Sequence, residues 1–188
     1  MHLVLNAVTA NVAHKIQRIT QLSALAAFVL LTACTAAQRV ENGAIESAAI
    51  MNLRNPEANV FASGQPTQEQ MQVLASSGVK HIINLRPHSE QDWDEKAYVE
   101  SLGMQYHNIP VAGANDVTLD NANQLNALLT SLEGQPLLVH CASSNRVGAL
   151  RALIAGTKDR QSPDNAVNIG KNWGLSSLEP AVRSTLSE

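Results

Sequence analysis

"PLLVHCASSNRVGAL", Pro136 to Leu150, is the stretch on which the fold turns. An apolar run stops at His140-Cys141, four small or polar residues follow, and Arg146 opens a second apolar pattern. Val147, Leu150, Leu153 and Ile154 then recur at helical spacing. Strand, tight loop and helix start are the expectation. Such a turn sends successive backbone N–H groups into a small concavity at the positive end of a helix dipole. Ala142, Ser143, Ser144 and Asn145 are small or turn-tolerant, so the backbone can curl there. A thiolate on Cys141 would be stabilised by the same dipole and by Arg146. The Arg146 fork suits two oxygens of a tetrahedral oxyanion.

Outward from this stretch, strand-like and helix-like segments alternate. "NVFASGQP" (59–66) predicts a short strand and turn, and "TQEQMQVLASSG" a helix whose Thr67 and Gln70 form a capping box. "VKHIINL" (79–85) reads as a buried strand, and "RPHSEQDWDEKAYVESLG" as a polar loop entering a helix that ends at Gly103. "MQYHNIPV" is extended, and "VTLDNANQLNALLTSLEG" carries leucines at helical spacing. The tail from Ser162 reads as one or two helices with a break at Gly174. Alternation of this kind implies an α/β fold, a mainly parallel central sheet of about four or five strands flanked by helices. Ligands in such sheets sit beyond the carboxyl ends of the strands, where the Cys141 loop lies.

The net charge of −3, 15% charged and 3% aromatic residues provide neither a polybasic footprint nor a base-stacking surface, so nucleic acid is not an expected partner. The first 33 residues carry His14, Lys15 and Arg18, no acid, and then the apolar stretch "LSALAAFVLLTAC" ending at Cys34. That order suits a signal peptide. Leu31-Thr32-Ala33-Cys34 resembles the lipobox of bacterial lipoproteins, which implies cleavage before Cys34 and its acylation. With Thr35 rather than Asp behind it, the resemblance implies a Gram-negative outer membrane, the protein facing the periplasm and touching membrane through lipid alone. The expected division is residues 1–33 signal peptide, 34–55 lipidated tether or short helix, and 56–188 folded domain. Of the two cysteines, Cys141 would then be the one free thiol in an oxidising compartment, either deeply buried or chemically used.

"HC-ASSN-R" resembles the signature of the cysteine-dependent phosphatases. The wider pattern "FASGQPTQEQ…LASSGVKHIINLRPHSE…YHNIPV…VHCASSNRVGAL" resembles the bacterial phosphatase-like family named after beta-lactamase hydrolase-like proteins. The resemblance covers roughly residues 60–156 and implies a phosphatase-like fold. It further implies that Cys141 attacks phosphorus, with no cofactor or metal. Arg146 and the N–H groups of Ala142, Ser143, Ser144 and Asn145 would hold the oxygens. Substrates would be a phosphorylated protein or a small phosphoester. By the same resemblance Asp116, after the "IP" element, is the first choice for the general acid and Asp120 the second; Asp116 could instead cap a helix beginning near Val117. His140 would tune the cysteine. Arg86 could help bind the anion or brace the loop, with Glu90 paired to it; a plain salt bridge is the other reading. His88 and Trp93 are candidates for the pocket rim, and His81 and His107 read as structural. Four residues between Cys141 and Arg146, not the usual five, and Val147 in place of a hydroxyl residue keep two alternatives open. One is a rhodanese-like sulfurtransferase carrying a persulfide on Cys141 and meeting a sulfur donor. The other is a non-catalytic oxyanion-binding module.

Overall fold

Five strands form one sheet in the order β1-β2-β5-β3-β4 in the structure, a computed structural model that describes residues 40–187. They are β1 Arg54–Glu57, β2 Val60–Ser63, β3 His81–Asn84, β4 Gln105–Asn108 and β5 Leu137–His140. Only β1 runs antiparallel, against β2; the other neighbours are parallel. Seven helices cover the sheet among the described residues: α1 Asn42–Ser47, α2 Gln68–Ser76, α3 Glu95–Ser101, α4 Leu119–Ser131, α5 Asn145–Thr157, α6 Pro163–Asn172 and α7 Glu179–Leu186. The expected α/β class and mainly parallel sheet are observed. The signal segment and Cys34 lie outside the described residues.

Alternation along the strands feeds two cores, as a sheet covered on both faces requires. Phe61, Ile82 and Leu138 pack with Ile45, Met71, Leu74 and Val99 beneath α1, α2 and α3. Ala62, Ile83, Leu137 and Val139 pack with Leu125, Leu150, Leu153, Val167 and Val182 beneath α4 to α7. The Thr67–Gln70 capping box forms in both directions and fixes the start of α2.

Two boundaries differ from expectation. Residues from Val40 onward belong to the folded unit, which therefore begins well before residue 56. Val40, Ile45 and Ile50 are buried, and Glu41 N–H donates to Ser77 O at 3.0 Å. Of the two expectations for residues 34–55, tether or short helix, the described part forms the short helix α1, packed on the domain through Ile45. Strand β1, "RNPE", went unanticipated because Pro56 cannot donate to a ladder; at the sheet edge that loss is tolerated.

Helix α5 is buried on nearly every side. Gly148 makes this possible: a Cβ there would stand 2.0 Å from Leu175 N and 2.5 Å from Gly170 O. The last rung of the parallel sheet is polar throughout. Ser63, His140, Asn84 and Asn108 stand in register across β2, β5, β3 and β4. The site grows from this row.

Candidate active site

Immediately past His140 the chain turns sharply into α5. Ser144, the residue before the helix, takes a left-handed conformation with φ of 70°. Cys141 is fully buried at the base of the turn, and Arg146 is 8% exposed. The loop's carbonyls and polar side chains are engaged by their surroundings. Gln65 N–H donates to Ala142 O at 3.2 Å and Asn52 Nδ2 to Ser143 O at 3.0 Å. Ser144 Oγ donates to Trp173 O at 2.8 Å, and Asn145 Oδ1 accepts from Ser176 N–H at 2.8 Å. Asn145 Nδ2 donates to Ser177 Oγ at 2.8 Å. The backbone N–H groups of residues 142–147 are different: apart from the isolated bridge that joins Ser143 to Gly64, none donates to a protein acceptor among the described residues. Free donors clustered at a helix N-terminus form an anion cradle. Ser144 and Asn145 offer it their backbone, while their side chains fasten the loop from outside.

Arg146 is held ready. Its Nη1 donates to Glu90 Oε1 at 3.0 Å and to Val111 O at 2.5 Å, and Nη2 donates to Glu90 Oε2 at 2.7 Å. Against the opposing effect of burial, Glu90 and the Cys141 sulfur raise the guanidinium above its ordinary value. Reciprocally, the hydrogen bond from Arg146 holds the Glu90 carboxyl below the usual carboxylate range. Glu90 thus pairs chiefly with Arg146; its contact with Arg86 Nε is longer, at 3.7 Å. Arg86 spends its Nη atoms on Gln65 Oε1, at 2.5 Å, and on Glu90 O. It braces the loop that carries Glu90.

Behind the nucleophile lies a polar cluster that sequence reasoning did not find. His140 Nε2 meets Glu95 Oε1 at 2.7 Å, both side chains being buried. Gln65 Nε2 donates to Glu95 Oε2 at 2.7 Å, and Asn84 Nδ2 donates to Glu95 Oε1 at 3.2 Å and to Tyr106 Oη at 3.1 Å. Burial pushes the Glu95 carboxyl up, but hydrogen bonds from His140 and Gln65 outweigh it and hold the group below the usual range. Burial and the neighbouring Glu95 raise the Tyr106 hydroxyl. Glu95 carried no sequence signal: after the N-cap Asp94 it reads as an ordinary first-turn acid on a solvated helix.

The remaining candidates fall into place around this centre. Asp116 is half-buried on the loop leaving β4, and its Oδ2 accepts from Ala112 N–H at 2.8 Å. Ala112 follows Val111, whose carbonyl holds Arg146, so the Asp116 carboxylate is parked on the segment that touches the clamp. It does not cap α4; Thr118 does, accepting from Asn121 N–H at 3.2 Å. Asp120 is exposed in the first turn of α4. Trp93, a candidate for the pocket rim, instead packs edge-on against Tyr98 beside the core of Phe61, Ile82 and Leu138, centroids 5.6 Å apart. His88 is exposed in a single 3₁₀ turn. His81 and His107 stack on each other, ring nitrogens 3.3 Å apart.

Comparison with known proteins identifies the family and the fold. Residues 31–169 match the family described as "DSP-PTPase phosphatase fused to NAD+ Kinase". The beta-lactamase hydrolase-like protein of Xylella fastidiosa strain Temecula1 is 31% identical over 118 residues, 60% of this chain and 27% of that protein. The chain therefore spans about a quarter of the length of the curated relatives it matches. A crystal structure of a DUF442 protein from Shewanella putrefaciens CN-32 superposes with a TM-score of 0.59 at 25% identity, covering 75% of this chain and 95% of that one. At 14% identity the fold also matches PTPMT1 in complex with PI(5)P, with a TM-score of 0.58 over 72% of this chain and 94% of that one.

Proposed function

Since the chain belongs to the family described as "DSP-PTPase phosphatase fused to NAD+ Kinase", we propose that it is a cysteine-dependent hydrolase of phosphomonoesters. The carrying observation is the turn of largely free N–H groups within residues 142–147 beside a buried Cys141, closed by an Arg146 held in place by Glu90. The cradle and the fork match the equatorial oxygens of a transferring phosphoryl group. Cys141 Sγ forms a bond to phosphorus as the phosphorus–oxygen ester bond breaks, and Asp116 gives the departing oxygen its proton. Water then attacks the phosphocysteine, Asp116 takes the proton back, and inorganic phosphate leaves with the thiolate restored.

Substrates of this class are a phosphorylated protein side chain or a small phosphoester. The lipobox-like Leu31–Cys34 supports attachment at the periplasmic face of the outer membrane through lipid on Cys34. The four-residue spacing between Cys141 and Arg146 favours a second reading, sulfur transfer through a Cys141 persulfide, and one experiment separates the two. The full chain and its Cys141→Ser variant are assayed on an aryl phosphate and on thiosulfate with cyanide. Phosphate release that disappears in Cys141→Ser is the expected result. Thiocyanate formed without phosphate release overturns the proposal in favour of sulfur transfer, and inactivity on both substrates leaves an oxyanion-binding module.

A further inference from the structure

The four residues between Cys141 and Arg146 include no glycine, yet Ser144 holds φ at 70°. A left-handed residue beside right-handed ones turns successive backbone N–H groups to one side, which makes a loop concave toward an anion. With a Cβ present that conformation is strained, and it persists only where the surroundings enforce it. Here one turn, residues 173–178, does the enforcing. It begins where α6 closes, with the N–H groups of Trp173 and Leu175 both donating to Gly170 O at 2.9 Å and Gly174 at φ of 103°. Trp173 O accepts from the buried Ser144 Oγ at 2.8 Å. Gly174 lies so close that a Cβ on it would stand 2.5 Å from Ser144 Cβ and Oγ. Asn145 Oδ1 accepts from the N–H groups of Ser176, at 2.8 Å, and Leu178, at 3.4 Å. Its Nδ2 donates to Ser177 Oγ at 2.8 Å. The turn is anchored in its own right: Trp173 is buried, and the Arg151 guanidinium carbon lies 5.7 Å from its ring centroid.

On the premise that the Cys141–Arg146 loop takes an oxyanion, we propose that Ser144 and Asn145 are positioning residues for it. Their side chains, held by the 173–178 turn, keep the loop in its binding shape before the anion arrives. Glycine at 144 would reach the same φ without strain, but it would visit many others as readily. Ordering such a loop on binding costs affinity, and a hydroxyl fixed on Trp173 O removes that cost in advance. The two roles open to these bonds leave different marks. A purely architectural hydrogen bond would lower the melting temperature when lost and leave the affinity of the folded chain alone. A bond that shapes the cradle would weaken oxyanion binding even where its loss relieves strain.

The test titrates tungstate, a tetrahedral oxyanion with no ester bond to break, into the full chain by calorimetry. Ser144→Gly is expected to raise Kd about tenfold, and Ser144→Ala by at least as much. Wild-type affinity in a folded Ser144→Gly chain overturns the proposal. Should both variants fail to fold, Ser177, exposed and outside the loop, decides. Ser177→Ala deprives Asn145 Nδ2 of its partner and is expected to raise Kd about threefold. Ser177→Thr keeps the hydroxyl and is expected to bind as wild type does. Equal affinity across the three, or a Ser177→Thr chain as weak as Ser177→Ala, overturns the proposal. A wild-type chain that does not bind tungstate sinks the oxyanion site and this inference with it. Tungstate binding without hydrolysis of an aryl phosphate sinks the proposed reaction alone.

Discussion

Arg146 illustrates how much of the site is settled before any substrate arrives. Its two terminal nitrogens meet both oxygens of Glu90, and one of them also meets Val111 O. An ammonium cannot reproduce that planar fork. Arg146→Lys keeps the charge and is expected to lower kcat/KM on an aryl phosphate on the order of a hundredfold, with a melting temperature close to wild type. An unchanged kcat/KM would remove the fork from the mechanism. Cys141 and Arg146 were legible in the sequence because one short turn brings them together, and spacing alone conveys their relation. Glu95 and Gln65 were not. Glu95 lies 45 residues from His140, and only the register of β3 and β5 and the placement of α3 make them neighbours. Glu90 was visible and its expected pairing with Arg86 is present at 3.7 Å, but their proximity in sequence hid the shorter, longer-range pairing with Arg146 at 2.7 Å.

Elements carry their own consequences. Strands β3 and β4 bring His81 and His107 into a stack at the sheet edge, and burial, with His107 adding to the effect on His81, pushes both imidazoles below their ordinary value. The unfolded chain then binds more protons than the folded one at mildly acid pH. Stability is therefore fully present above about pH 6.5 and is lost as pH falls through that ordinary value towards the depressed folded ones. Thermal melts from pH 7.5 down to pH 5 should show a falling Tm, with a shallower fall in His107→Asn; equal slopes would disprove the coupling. Packing of α5 on α6 gives a second expectation. With a Cβ directed at Leu175 N and Gly170 O, Gly148→Ala is expected to cost about 2–3 kcal/mol, read as a lower Tm. The start of α2 was the most legible, because Thr67 and Gln70 announce it with side chains that bond back to the first turn; Thr118 and Ser162, which cap α4 and α6, were not singled out. Edge strand β1 was illegible because pairing with β2, not its own residues, makes it a strand.

For the molecule as a whole, alternation of strands and helices was enough to give the architecture, since a parallel sheet must bury both faces and leaves few ways to do so. Where the folded unit begins was harder to read, because Val40, Ile45 and Ile50 are too widely spaced to form a pattern. The proposed lipid anchor belongs to this scale also. Growth with an alkyne-tagged fatty acid should label the chain, and Cys34→Ala should abolish the label; labelling that persists refutes lipidation at Cys34. The bracing of the cradle by Trp173, Ser176 and Ser177 has a wider meaning. Those residues lie past the end of the region shared with the family, residues 31–169. The family match thus takes in the nucleophile and its loop, while the side chains and carbonyl that fasten the loop from outside stand beyond its last matched residue. A substitution in the tail can therefore reshape the cradle while every signature residue stays where it is.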